Sequence, residues 1–112
     1  MTQAYELEKL GNAVDALAVS AASIQSRLEC AWTAMYTLID HRFTDPERSA
    51  EFADINKKLA ADSSNDRVGY AQITCLNLSD DEAVEIAQAI VDLNARLIYD
   101  RIWLLEDEIN AV

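Results

Sequence analysis

The chain has 112 residues, and its 20 acidic and 9 basic side chains give a formal net charge of −11. Because nucleic acids and anionic membrane surfaces bind basic footprints, this charge argues against direct binding to either. With 2 Gly and 1 Pro, the chain is poor in turn-forming residues. That composition favours a few long helices in one domain over residues 1–112, and an all-α fold over a sheet protein.

The N-terminal third carries an apolar stripe with an unbroken 3-4 spacing, which is typical of a helix that packs lengthwise on another helix. It predicts a long helix from about Thr2 to Phe43, roughly 60 Å in length. Gly11-Asn12 is the one place where this helix could break early. The length exceeds what a small domain can cover, so we expect a homodimer interface along the stripe, formed by Leu10, Val14, Leu17, Ala21, Ile24 and Leu28.

The segment from Ala16 to Ser26 has no charged residue, and most of its side chains are small. Helices without a charged face are usually covered on more than one side. Two interpretations remain open at this point, namely the packed centre of a helical bundle and a contact between subunits.

A short second helix is predicted after Thr44-Asp45-Pro46-Glu47 and extends to about Ala61. Pro46 suits the first helical turn, and Glu47 can complete a capping box with Thr44. Two rows at helical spacing should then pack together across this turn, with Trp32, Tyr36, Ile39 and Phe43 on one side and Phe52, Ile55 and Leu59 on the other.

The stretch from Asp62 to Asp66 is predicted to be a polar loop, and Val68 to Leu78 an extended or short helical connector. Ser79-Asp80-Asp81-Glu82 has the pattern of a capping box and predicts a long last helix that reaches about Asn110. Two adjacent apolar rows predict a broad buried face on this helix, the first with Ala87, Val91, Ile98, Ile102, Leu105 and Ile109, the second with Ile86, Ile90, Leu93, Leu97 and Leu104.

No motif in the sequence indicates catalysis or a cofactor. His41 is the single histidine, and no Cys or carboxylate stands at a metal-ligand spacing from it, so we interpret it as a partly exposed residue near a helix end. Cys30 and Cys75 lie in apolar surroundings, which favours buried, reduced thiols in a cytoplasmic protein. Neither a signal peptide nor a membrane span is predicted.

The last helix carries two features typical of a binding surface. Residues 80–112 hold nine acids and two bases, a net charge of −7. Glu106, Asp107 and Glu108 oppose the helix dipole, so a basic group on a partner would compensate them, although a frayed and solvated tail is the simpler alternative. Arg96, Tyr99 and Trp103 share one side of the helix and are residue types enriched in binding hot spots, while Trp103 is equally compatible with a core position.

These patterns favour a non-enzymatic acidic interaction protein of the adaptor, chaperone or inhibitor type, which forms a homodimer and binds a protein with a basic surface. The alternative is a DNA mimic whose carboxylates occupy a basic nucleic-acid-binding groove, as in a phage-type anti-defence protein. Rows of acids would favour the mimic, and one exposed apolar patch would favour the adaptor. An enzyme or metal carrier would need inward-facing Glu or His residues, which the apolar rows lack.

Overall fold

In the computed structural model, the described residues are 3–41, 43–60 and 74–110, and they confirm the predicted all-helical fold, with no strand among them. The elements are α1 (Gln3–Val19), α2 (Ile24–Met35), a 3-10 helix (Tyr36–Asp40), α3 (Pro46–Ala60) and α4 (Asp80–Asn110). The predicted loop at 62–66 and most of the predicted connector at 68–78 lie outside the described residues.

The predicted continuous helix from Thr2 to Phe43 is wrong in one respect, because the chain turns between Val19 and Ile24. Ser23 caps α2 by accepting a hydrogen bond from the Ser26 amide at 3.2 Å. Arg27 fastens the turn from the other side, since its guanidinium donates to the carbonyls of Ala22 and Leu17 at 3.0 and 2.9 Å. These side-chain bonds give the backbone an alternative to a continuing helix.

Helices α1 and α2 therefore form an antiparallel hairpin, and the stripe that predicted a partner packs largely within the chain. Near the open end of the hairpin, the Tyr5 hydroxyl donates to Thr37 Oγ1 at 2.9 Å. The uncharged segment at 16–26 contains the turn, and its residues from 18 to 23 are exposed. The alternative of a packed bundle centre is thus wrong for this part of it.

The inner face of α4 completes the core by packing against the other three helices. Its buried residues are Ala83, Ile86, Ile90, Leu93 and Leu97. They meet the buried side chains of the hairpin, among which Trp32, Leu10 and Leu28 are fully covered. Four members of one predicted row, Ile86, Ile90, Leu93 and Leu97, are buried as predicted, but its last member, Leu104, is 46% exposed because it lies beyond the part of α4 that packs on the core. The neighbouring row is mostly exposed.

Helix α3 begins at Pro46, as predicted, and Asp45 caps it. The Asp45 carboxylate accepts a hydrogen bond from the Glu47 amide at 2.9 Å, and its carbonyl accepts one from the Ser49 amide at 3.1 Å. The predicted box between Thr44 and Glu47 does not form, because the Thr44 amide is bound elsewhere.

The contact predicted between the two aromatic rows is present at Phe43 and Phe52, whose ring centroids are 5.6 Å apart. Phe52→Ala should lower the free energy of unfolding by about 3 kcal/mol, because it opens a cavity in the buried contact between α3 and the core. Urea denaturation followed by circular dichroism measures this loss. An unchanged denaturation midpoint would mean that α3 contributes nothing to the cooperative core.

The predicted capping box at the start of α4 is confirmed in both directions. The Ser79 amide donates to Glu82 Oε1 at 2.9 Å, and the Glu82 amide donates to Ser79 Oγ at 3.1 Å. Hydrogen bonding of the Glu82 carboxyl to the backbone amide and the side-chain hydroxyl of Ser79 lowers the pKa of that carboxyl. Because the folded pKa is depressed, the stabilising effect of this cap is present at neutral pH and is lost as the pH falls through that pKa.

The two cysteines have different environments, and both are free. Cys75 is buried as predicted, and burial together with the nearby charge of Glu29 raises its pKa to about 11. Cys30 is exposed, which contradicts the prediction of a buried thiol. Its neighbours one helical turn away include Ser26, Arg27 and Thr33, so Cys30 lies on a polar face of α2 beside the covered one.

Alkylation kinetics should separate the two thiols, because the thiolate is the reactive species and access is required. With iodoacetamide at pH 8, we expect mass spectrometry to show one fast modification per native chain, at Cys30. The second modification should appear only when guanidinium unfolds the chain. Equal rates at both cysteines in the native protein would contradict the buried position of Cys75.

Candidate protein-docking site

The C-terminal half of α4 extends past the part of the core that it helps to build. The helix has 31 residues, about 46 Å at 1.5 Å per residue. Its last buried residue is Leu97, and every residue from 101 to 110 is exposed. We call residues 98–110 the arm. Because apolar side chains on the arm have no cover within the described chain, this is the part of the molecule that a partner would bury.

One side of the arm presents the predicted aromatic residues, and we call Tyr99 and Trp103 the aromatic face. They are 66% and 62% exposed, so the prediction that left Trp103 open between core and interface is resolved in favour of the surface. Both line a surface groove of about 470 Å³ together with Arg48, Arg96 and Asp100. A groove with aromatic walls and charged groups at its base can take an apolar or cationic side chain.

Ion pairs between α3 and α4 fix the base of this groove. The Arg48 guanidinium donates to Asp100 Oδ2 at 2.9 Å and also pairs with Glu51. Burial opposes the charge on Arg48, but the hydrogen bonds and negative charges of Glu51 and Asp100 outweigh it and raise the pKa of the guanidinium. Arg48 therefore remains charged and holds α3 against α4.

Arg96 has a partner within the chain, which the sequence did not reveal. Its guanidinium donates to Glu51 Oε2 at 2.7 Å, so it joins the same network as Arg48. Its side chain remains about half exposed. Arg96 thus contributes the edge of the groove, and only part of its hydrogen-bonding capacity is open to a partner.

The acids Glu106, Asp107 and Glu108 are all exposed in the final turns of α4. Within residues 3–41, 43–60 and 74–110, none of the three carboxylates pairs with a base. Helix α4 has no basic residue in its last turn either. The arm therefore presents uncompensated negative charge at the helix end where the backbone dipole is also negative.

The predicted dimer interface lies mostly inside the hairpin. Leu10, Leu17 and Leu28 belong to the buried core of a single chain. Val14 and Ile24 are partly buried against that core, and Ala21 lies exposed in the turn. A homodimer through these six residues stays a prediction, but three of the six are already buried within one chain.

A buried polar cluster joins α1 to the segment before α3, and no sequence pattern indicated it. Glu6 is fully buried, and its Oε1 accepts hydrogen bonds from the Thr44 amide at 2.8 Å and from His41 Nε2 at 3.1 Å. Since a carboxylate has no proton to donate, the imidazole is the donor. Among the residues that the structure describes, none donates a hydrogen bond to Glu6 Oε2.

Aromatic rings enclose this cluster. The His41 ring lies 5.1 Å from the Tyr5 ring and 5.3 Å from the Phe43 ring, centroid to centroid. His41 is consequently almost covered, with about a tenth of its side chain exposed, where we expected a partly exposed residue. The hydrogen bonds of Glu6 to His41 and to Thr44 tie the α1–α2 hairpin to the start of α3, which is a structural role.

Across the described ranges, no group of three or more His, Cys, Asp or Glu side chains is placed to hold a metal ion. Among the same residues, no helix is both long and apolar enough to cross a bilayer. Comparisons of the chain with protein-family models, curated proteins and solved structures found no match.

Proposed function

We propose that this chain is a non-enzymatic helical interaction protein that acts as a homodimer and binds a protein with a basic surface through the arm of α4. The adaptor, chaperone and inhibitor types share this mode of action. The observation that carries the proposal is the exposure of Tyr99 and Trp103 beside three unpaired acids. Both thiols are free, which supports a cytoplasmic setting for this function.

The aromatic face supplies the affinity in this proposal. An exposed Trp leaves a large apolar area in water. Burying this area against a partner is favourable because of the hydrophobic effect. Trp and Tyr also lose little conformational freedom on binding and dominate measured hot spots. Trp103 is therefore the anchor, and Tyr99 forms the adjacent wall of the groove.

The acids supply selection and speed. Glu106, Asp107 and Glu108 create a negative potential around the arm, which attracts a basic surface and raises the association rate. Exposed charges of this kind add little to the affinity of the formed complex. The two parts of the site thus have separable effects, with the acids acting on association and Trp103 on dissociation.

A DNA mimic is the less favoured candidate. Consecutive helical residues point about 100° apart, so Glu106, Asp107 and Glu108 face three directions and do not form a row of phosphate-like charges. The arm also presents exposed aromatic and aliphatic side chains among these acids. A mimic of a nucleic acid backbone has no use for that apolar surface.

The experiment is a comparative capture from an extract of the native host. Wild-type protein, Trp103→Ala and a control variant, Tyr36→Ala, serve as baits at equal loading, and the captured proteins are quantified by mass spectrometry. Tyr36 is a suitable control because it is an exposed aromatic residue, 41% accessible, in the 3-10 helix and is not among the residues that line the groove.

We expect a protein with a basic surface that is captured by the wild type and the control but lost with Trp103→Ala. Capture of the same proteins by all three baits would contradict the anchor role. Loss with Tyr36→Ala but not with Trp103→Ala would place the docking surface elsewhere.

A further inference from the structure

A second exposed stripe runs along nearly the whole length of α4. Its exposed fractions range from 39% at Val91 to 72% at Ile109. We call it the outer stripe, and it consists of Val84, Val91, Ile98, Ile102, Leu105 and Ile109. Five of its residues belong to the row that the sequence predicted to be buried together with its neighbour; Val84 is additional, and Ala87 of the predicted row is only partly exposed.

The outer stripe is separate from both the core and the aromatic face. At about 100° per residue, its centre lies roughly 120° around α4 from the buried row, and roughly 110° from the aromatic face. Helix α4 thus has three faces. The buried row packs on its own chain, and the aromatic face forms the docking groove. The third is apolar and has no cover within the described residues.

The outer stripe has the spacing of a two-stranded coiled coil. Val84, Val91, Ile98 and Leu105 recur every seven residues, and the positions four residues after each complete the heptad seam. Those intermediate positions are Gln88, Ala95, Ile102 and Ile109. Gln88 and Ala95 bury little apolar area in such a seam, whereas Ile102 and Ile109 bury much more. The contact should therefore be most stable in the arm.

Charges flank the seam in the arm, with Arg101 and Glu108 on one side and Glu106 on the other, and the first pair that they can form identifies the occupant. Arg101 and Glu106 lie on opposite sides of the outer stripe, and both are exposed. They are five residues apart, the separation that brings the two flanks of a parallel coiled coil face to face. Two copies of this chain, packed in parallel, therefore form two Arg101–Glu106 pairs between them.

In an antiparallel coiled coil, the flank that carries Glu106 lies opposite the same flank of the other copy. The Arg101–Glu106 pairs cannot form in that arrangement. Besides Tyr99, the heptad positions on the flank of Glu106 are all acidic, namely Glu85, Asp92 and Glu106. Acids would then oppose acids, which disfavours the arrangement. The charge pattern thus selects both the partner and its direction.

We infer that a second copy of this chain covers the outer stripe in a parallel α4–α4 contact, with an Arg101–Glu106 pair on each side. This inference rests on the homodimer in the proposed function and moves its interface from the α1–α2 hairpin to α4. The aromatic face points away from the contact, so each copy in the dimer can still bind its partner.

Sedimentation equilibrium at micromolar concentration tests the inference. The wild type should have twice the chain mass, and Ile102→Asp should be monomeric because it places a charge in the seam. Arg101→Glu and Glu106→Arg should each weaken dimerisation about tenfold, because two attractions become repulsions. The double exchange should restore the affinity to within about threefold. Asp107→Arg, the matched charge change off the seam, should leave the dimer intact.

Circular dichroism should show that each variant keeps the wild-type helix content, since all the altered residues are exposed. A dimer that survives Ile102→Asp would overturn the α4 interface while leaving the homodimer itself standing. A failure of the double exchange to restore affinity would overturn the parallel direction. A wild type that stays monomeric at high micromolar concentration would overturn both the inference and the homodimer, but not the docking role of Trp103.

Discussion

Replacing Glu6 with Ala is expected to lower the free energy of unfolding by about 3–5 kcal/mol, since removal of one partner from a buried polar pair leaves the other groups uncompensated. The Thr44 amide would lose its acceptor, and His41 would lose the carboxylate that binds its Nε2. A buried donor without a partner carries its full desolvation cost. The truncation also leaves a cavity between α1 and the segment before α3.

Glu6→Gln is the matched control. Its side-chain oxygen can still accept the hydrogen bond from the Thr44 amide, and its volume is nearly that of Glu. The control should therefore lose about 1–2 kcal/mol. Urea denaturation of the two variants and the wild type gives the comparison. Equal losses for Ala and Gln would show that the negative charge, and not the hydrogen-bonded arrangement, accounts for the effect.

Substitution by Ala should strongly lower the stability at one of the two tryptophans and leave it nearly unchanged at the other. Trp32 is fully buried in the core, so Trp32→Ala is expected to cost about 3–5 kcal/mol of stability. Trp103 lies exposed on the arm, so Trp103→Ala should change stability by at most about 0.5 kcal/mol. Urea denaturation measures both values.

Tryptophan fluorescence measures the exposure of each residue independently, because each variant retains only one of the two tryptophans. Acrylamide should quench the remaining Trp103 in Trp32→Ala strongly, and the remaining Trp32 in Trp103→Ala weakly. Comparable destabilisation by both substitutions would mean that Trp103 belongs to the core, and the docking site would then be wrong.

Local signals in the sequence predicted much of the fold. The absence of turn formers indicated helices, Pro46 marked the start of α3, and the Ser79–Glu82 box marked the start of α4. These features depend on residues within one turn of each other, so no knowledge of the tertiary structure is needed to read them.

The turn between α1 and α2 was missed for a physical reason. The 3-4 spacing continues through Ala21 and Ile24 as if the helix did, although Ser23 caps a new helix at this point. Arg27 adds contacts that only the folded hairpin creates. An apolar stripe can pack on a partner or on a chain that turns back on itself, and periodicity does not separate the two.

The candidate site was predicted in part. The sequence identified Tyr99, Trp103 and the terminal acids as a group on one helix, but it could not tell which apolar row of α4 is covered, because both rows consist of the same residue types. Two further contacts could not be predicted from the sequence, namely the ion pair of Arg96 with Glu51 and the hydrogen-bonded pair of Glu6 with His41. Each joins residues more than 30 positions apart, where spacing carries no information.

The most direct test of the docking function is the kinetics of binding to the protein captured through Trp103. Association and dissociation rates are measured by surface plasmon resonance at low and at high salt. Four proteins are compared: wild type, Trp103→Ala, a variant with Asp107 and Glu108 changed to Lys, which leaves the Arg101–Glu106 pair unchanged, and a control with two other exposed acids, Glu8 and Asp15, changed to Lys. The control has the same change in net charge.

We expect reversal of the arm acids to slow association about tenfold or more at low salt, with the difference from the control shrinking as salt screens the charges. Trp103→Ala should instead speed dissociation at least about thirtyfold, the effect of losing about 2 kcal/mol at a hot spot. Equal association rates for the two charge-reversed proteins, together with an unchanged dissociation rate for Trp103→Ala, would contradict the assignment of the α4 arm as the docking site.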